Sequence, residues 1–159
     1  VRILGIDPGS RVTGYGLVEI RGADLGVLSH GRLRPGSGLA FGERLAEIAD
    51  AVGGLVDAYG PDEAAIEDLF HAVNPRSALQ LAHLRGAVIA ELARRGLRLF
   101  AYAPRAVKKA VTGSGAAGKH QVRFMVERLL GVRLSGEGDD VSDALAVAIC
   151  HAHARGRAG

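Results

Sequence analysis

The opening segment Arg2-Ile3-Leu4-Gly5-Ile6-Asp7, halted by Pro8-Gly9-Ser10, constrains this chain more than any other stretch. A short apolar run stopped by Pro-Gly reads as a buried strand. Its last residue is a carboxylate, which must reach water or meet a positive charge. Residues 15–20 read as a second strand close enough to form a hairpin, and residues 25–33 as a third, antiparallel one. Leu45, Ile48, Ala49, Val52, Leu55, Val56 and Tyr59 recur at helical spacing, and Gly60-Pro61 ends that helix. Residues 63–69 form a short strand carrying Glu67. Leu81, Leu84, Val88 and Leu92 mark a second helix, and residues 97–102 a fifth strand. A helical segment from Pro104 to Val111, a glycine-rich loop at 113–118 and a helix bearing Val122, Val126 and Leu130 follow. The final helix has the cleanest stripe: Val141, Ala144, Leu145, Ala148, Ile149 and Ala152. The order predicts an α/β fold, a five-stranded mixed sheet flanked by helices, as one domain over residues 1–159.

Aromatic residues make up only 4% of the chain, so its core must rest on aliphatic side chains and close backbone packing. Twenty Lys and Arg against seventeen Asp and Glu give +3, a weak pointer to a polyanionic partner. Placement says more: basic residues gather at Arg105, Lys108, Lys109, Lys119, His120 and Arg123, and at Arg94, Arg95 and Arg98. One cysteine, Cys150, excludes an internal disulfide and fits a reducing compartment; its apolar helical setting reads as buried. No stretch is apolar enough to span a bilayer and no signal peptide is visible, so a cytoplasmic, nucleoid-associated protein is expected.

Four acids stand out by position. Asp7 and Glu67 sit in apolar strands, while Asp140 and Asp143 open the last helix three residues apart, on one face. Each has a bland explanation. Asp140 and Asp143 suit a helix N-terminus, Asp7 a turn, and Glu67 an edge strand facing water. Taken together, three separate elements could bring acids to one end of a sheet. Apart from Arg2 at the far end of the first strand, no lysine or arginine is embedded in those segments, so a hard divalent cation is the natural partner.

At these residues the chain resembles a known family. Leu4-Gly-Ile-Asp7-Pro-Gly-Ser-Arg-Val-Thr-Gly-Tyr-Gly16 is similar to the first motif of RuvC, the bacterial crossover (Holliday) junction endodeoxyribonuclease family. Ala65-Ile-Glu67-Asp-Leu-Phe70 with Asn74, then Arg85-Gly86, resembles the second block, and Asp140-Val-Ser-Asp143-Ala-Leu-Ala the last. The resemblance implies an RNase H-like fold and a homodimer that resolves four-way DNA junctions by paired symmetric nicks. It implies Asp7, Glu67, Asp140 and Asp143 as catalytic metal ligands, with two Mg²⁺ per site and Mn²⁺ as a substitute. Asp139, four residues before Asp143, rivals Asp140; the family pattern favours Asp140. DNA contacts are implied for Phe70, Asn74, Arg76, Arg105, Lys108 and Lys119, Phe70 as an aromatic stacking on or wedging between junction bases. RuvA and RuvB are implied as branch-migration partners.

Gly113-Ser-Gly-Ala-Ala-Gly118-Lys119 imitates the start of a phosphate-binding P-loop, but His120 stands where Ser or Thr would hold Mg²⁺. A nucleoside triphosphatase is therefore rejected. Actin-like ATPases and sugar kinases share a similar opening loop, yet need a duplicated domain that 159 residues do not contain. A YqgF-like RNA nuclease has a similar opening too, but the Glu67 to Phe70 block and the Arg105 to Lys109 segment favour RuvC. The intact acid set argues against a non-catalytic DNA scaffold. His151 and His153 share no helix face and form no metal pair, and His83 reads as a partly buried helix residue.

Overall fold

The computed structural model describes residues 1–9, 11–68 and 74–156. Three strands come first: β1 (Arg2–Asp7), β2 (Thr13–Arg21) and β3 (Asp24–Leu33). Then follow α1 (Phe41–Tyr59), β4 (Glu63–Glu67), α2 (Pro75–Arg94), β5 (Arg98–Tyr102), α3 (Pro104–Thr112), α4 (Lys119–Leu130) and α5 (Asp139–Gly156). The strands form one sheet in the order β3-β2-β1-β4-β5. β1–β2 and β2–β3 are antiparallel, while β1–β4 and β4–β5 are parallel. This is the expected RNase H-like mixed sheet.

Alternation along the strands divides the core in two. Leu4, Ile6, Leu17 and Ala64 face α1 and α2, packing on Ile48, Val52, Leu84, Val88 and Leu92. Ile3, Val18 and Ala65 face the other way, onto α5 with α3 and α4 behind it. Nearly every α5 residue from Val141 to Ala152 is buried, because the helix is covered on both sides. The sheet side is tight. A Cβ on Gly5 would lie 2.1 Å from the Ala144 carbonyl oxygen, so the aliphatic core relies on direct strand–helix backbone approach here.

β4 is interior, between β1 and β5, which removes the reading of Glu67 as an edge-strand acid. The strand stops at Glu67 rather than continuing to residue 69. Asp68 leaves the ladder: its N–H still donates to Tyr102 O at 2.8 Å, but its carboxylate turns to Arg85 of α2, 2.6 Å away. Leu69 lies outside the described residues. His83 is exposed rather than partly buried, with Nδ1 2.7 Å from Leu79 O. Among the described residues no helix is long and apolar enough to cross a membrane.

At the other end of β4, Glu63 is 2% exposed and accepts hydrogen bonds from Arg98, Arg155 and His151 Nε2. His151 Nδ1 lies 2.6 Å from the Tyr102 hydroxyl, and Phe100 stacks on the imidazole at 4.3 Å. Burial pushes the Glu63 carboxyl up, but the His151 and Arg155 bonds outweigh it and hold its pKa below the ordinary value. His151, unremarkable in the sequence, ties α5 to the sheet. Glu63→Ala strands a buried imidazole and is expected to cost roughly 2–4 kcal/mol in denaturant unfolding. The remaining folded protein should keep its activity, since Glu63 and Glu67 stand about 13 Å apart along the strand. A loss below about 1 kcal/mol would mean that the network contributes little.

Candidate active site

Parallel pairing of Ile6 with Ile66 brings Asp7 and Glu67 to the same end of adjacent strands, which run about 4.8 Å apart. Asp7 is itself paired with Gly14 across the β1–β2 ladder. The third element is α5, which carries Asp139 and Asp140 in its first turn and Asp143 on the next. Gly14 allows it to come close: a Cβ there would stand 2.0 Å from Asp140 O and 3.0 Å from Asp140 Cβ. The glycine opposite Asp7 thus sets how near the helix acids approach the strand acids. Sequence reasoning passed over Gly14. The strand expected from the sequence begins at residue 15, one residue after Gly14; with β2 starting at Thr13, Gly14 is a glycine inside a strand, a position that marks a close backbone approach.

The acids raise one another. Burial, followed by the charges of Asp143, Glu67 and Asp140, lifts the Asp7 pKa to about 7, against a smaller lowering by Lys119. Glu67 is also raised, by burial and then by Asp143, while Lys108 and Lys119 oppose the rise. Burial is the main cause for Asp143 too, with Lys119 working against it. Lys119 Nζ lies 3.6 Å from Asp143 and 3.8 Å from Asp139, and its own pKa rises, chiefly through Asp143. Asp139 differs from the rest. Its side chain is 57% exposed and faces Lys119 and, at 3.8 Å, Arg123. Asp140, by contrast, has its backbone against Gly14 and its charge on Asp7.

Of the basic residues predicted to meet DNA, Lys119 and Lys108 act on this cluster. Lys119 opens α4 directly after Gly118, and Lys108 on α3 is near enough to influence Glu67. Arg105 is exposed on the first turn of α3 and Arg76 on the first turn of α2. Asn74 holds a helix end in place, since its side chain caps α2 by accepting from Ser77 N–H at 2.9 Å. Phe70 lies outside the described residues. The glycine-rich loop links two helices, α3 and α4, unlike the strand-to-helix setting of a P-loop.

Oxygen is the only donor this cluster offers, and Lys119 is the only cation in contact with Asp143 among the described residues. Several carboxylates that resist ionising beside one another fit a hard divalent cation. Among the described residues no three such groups converge as a finished ligand cage, so waters and substrate oxygens would complete the shell.

A mixed sheet of this order, with acids from two central strands and a covering helix, is the architecture of RNase H-like hydrolases of phosphodiesters. The family model for crossover junction endodeoxyribonuclease RuvC matches residues 3–151. A protein of that name from Maricaulis maris is 49% identical over 156 residues, covering 98% of this chain and 92% of its own. One from Hyphomonas neptunium is 48% identical over 153 residues, covering 96% and 91%. Among solved structures, Thermus thermophilus RuvC in complex with a Holliday junction substrate superposes with a TM-score of 0.91 at 30% identity, covering 98% of this chain and 96% of that one. The chain belongs to the RuvC family of crossover junction endodeoxyribonucleases. It is a hydrolase of that class, and nucleases of this family are metal-dependent.

Proposed function

We propose that residues 1–159 act as one nuclease domain that, as a homodimer, resolves four-way DNA junctions by paired symmetric nicks. The observation that carries this reading is Asp7, a strand acid lifted to about pKa 7 by its burial and then by the charges of Asp143, Glu67 and Asp140 around it. The junction-bound T. thermophilus relative supports four-way DNA as substrate. Asp7, Glu67, Asp140 and Asp143 would hold two Mg²⁺, or Mn²⁺ in their place. Bound there, the metal supplies positive charge to the scissile phosphate and a water that deprotonates near neutral pH. Asp7, with Glu67 on the adjacent strand and Asp140 and Asp143 on the covering helix, would contribute a central ligand to the set. Asp140 is favoured over Asp139 because Asp139 is turned toward Lys119 and Arg123.

The remaining residues bind and orient the substrate. Lys119, held by Asp143 and Asp139, can turn its ammonium to a phosphate beside the acids and steady charge that develops there. Lys108 does the same beside Glu67, while exposed Arg105 and Arg76 grip the backbone further out. Asn74 spends its carbonyl oxygen on the helix cap, leaving its amide N–H groups for DNA. Phe70, just beyond Glu67 in the sequence, supplies the aromatic face for unpaired bases at the crossover. The products are ligatable 5′-phosphate and 3′-hydroxyl ends. RuvA and RuvB are proposed as partners on the family reading alone.

Incubation of a synthetic four-way junction with the protein and Mg²⁺ should give two cuts related by two-fold symmetry. Linear duplex of the same sequence should be cut slower by orders of magnitude. The same preparation should turn over no ATP. Equal cutting of duplex and junction removes the structural selectivity, and ATP hydrolysis would favour the actin-like alternative.

A further inference from the structure

Register across the sheet sets Arg32 of β3 opposite Gly14, and Gly14 opposite Asp7. Paired residues on neighbouring strands present their side chains to one face, so Arg32 and Asp7 both face α5, their Cα atoms about 10 Å apart. The Asp140 backbone sits in the gap between them, over Gly14. The point where a Cβ on Gly138 would stand is 2.9 Å from Arg32 Nη1 and 2.9 Å from Asp140 Oδ2, so guanidinium and carboxylate border the same small space. The Arg32 side chain is only 28% exposed, yet among the described residues its one partner is Glu137, with Nη2 3.8 Å from Oε2, beyond hydrogen-bond distance. Arg85 and Arg95 are no more exposed, and they donate to Asp68 at 2.6 Å and to Asp57 at 2.9 and 3.0 Å. Arg32 is thus a part-buried cation beside the acids whose fork of N–H donors lacks an acceptor.

We infer that Arg32 is a further substrate-binding residue, taking a phosphate of the cleaved strand that adjoins the scissile one on the Asp140 side of the acids. The inference rests on the proposed junction cleavage and deepens it. Position argues for the occupant. Arg32, Gly14 and Asp7 stand in one row across β3, β2 and β1, and Glu67 of β4 is the next acid along. Lys108 acts on Glu67 at one end of that row, and Arg32 stands at the other. A cation at each end lets the backbone of one DNA strand lie across the carboxylates with both flanking phosphates matched. The planar guanidinium fork fits two phosphate oxygens at once, a bond that the loose Glu137 contact does not supply. Nor is Arg32 needed to hold the segment before α5, because Arg123 Nη1 already donates to Glu137 O at 3.1 Å.

The test compares wild type, Arg32→Ala, Arg32→Lys and Glu137→Gln on one junction. It measures affinity in Ca²⁺, single-turnover cleavage at saturating protein in Mg²⁺, and melting with and without Mg²⁺ in the absence of DNA. Arg32→Ala should bind about tenfold more weakly and lower the salt slope of log K by about 1. Its cleavage rate at saturation should stay within about threefold of wild type, and its Mg²⁺-induced rise in melting temperature should be retained. Arg32→Lys should recover part of the affinity, since it keeps the charge and loses the fork. Glu137→Gln removes the ion pair but leaves the arginine, and should bind at least as tightly as wild type. A neutral methylphosphonate placed in turn at each phosphate beside the cut should weaken wild type at one position and leave Arg32→Ala unaffected there. Unchanged affinity and slope in Arg32→Ala, with wild type still cleaving junctions, overturns the inference alone. So does a loss in Glu137→Gln equal to that in Arg32→Ala, which would reduce Arg32 to a structural ion pair. A lost Mg²⁺ response with affinity intact overturns it too, assigning Arg32 to the placement of Asp140. Failure of wild type to bind junctions overturns the proposed function instead.

Discussion

Asp7→Asn should abolish junction cleavage, by about 10³-fold or more, while the metal-free protein becomes more stable at neutral and alkaline pH. Both effects have one origin. Asp7 is buried among Asp143, Glu67 and Asp140, and its pKa stands at about 7 against an ordinary value of 3.8. The metal-free folded chain therefore holds this proton more tightly than the unfolded chain. The associated stability is fully present below pH 3.8 and is lost as pH rises through about 7. Each pH unit in that window carries up to about 1.4 kcal/mol. Asparagine has no charge to lose, so its melting temperature without metal should fall less between about pH 5 and pH 8. Glu67 and Asp143, both raised, add a residual slope of the same sign.

Divalent cation should reverse the order. Wild type should gain melting temperature on Mg²⁺ or Mn²⁺, more strongly at pH 8 than at pH 5, because binding the metal releases the protons. Asp7→Asn should gain little. Junction binding in the variant should persist, since the basic residues are untouched. A variant that melts identically to wild type in both conditions would place Asp7 outside the metal shell. One that loses binding and cleavage together would point to a misfolded protein.

Gly14→Ala carries the second large effect, at a residue with no side chain to offer chemistry. Its new methyl would stand 2.0 Å from the Asp140 carbonyl oxygen, and no rotamer relieves a backbone contact. α5 must retreat at its first turn, taking Asp140 and Asp143 away from Asp7. Displacement of about 1 Å at a reacting centre costs about 10²-fold in rate. Gly5→Ala is the matched comparison, because its methyl would meet Ala144 O at 2.1 Å, one turn further along the same helix. Both variants should lose about 1–3 kcal/mol of stability. Gly14→Ala should additionally need more Mg²⁺ for half-maximal cleavage and show a smaller metal-induced rise in melting temperature. Equal metal response in the two variants would reduce Gly14 to packing alone.

The strands and helices were legible because their patterns are local. The Arg2–Asp7 run, the stripe from Val141 to Ala152 and the Gly60-Pro61 stop each carry their own period or terminator. The candidate acids were legible for a related reason: a carboxylate in an apolar strand conflicts with its surroundings and shows without any knowledge of neighbours. His83 and the extent of β4 were misread because exposure and strand ends depend on what packs alongside. Asp68 left its strand for Arg85, seventeen residues on. The Glu63–His151 bond joins residues 88 apart in sequence, which no local pattern announces.

By itself the sequence determined the RNase H-like element order, the four acids and the basic segments, since residue type and spacing alone specify them. Only the tertiary structure decided which acid of the Asp139–Asp140 pair leans on Asp7, why Gly14 cannot bear a side chain, and where Lys119 rests. Those outcomes depend on how closely α5 sits on the sheet. That approach is fixed by backbone atoms meeting across long sequence separations, where a missing Cβ counts for as much as a charge.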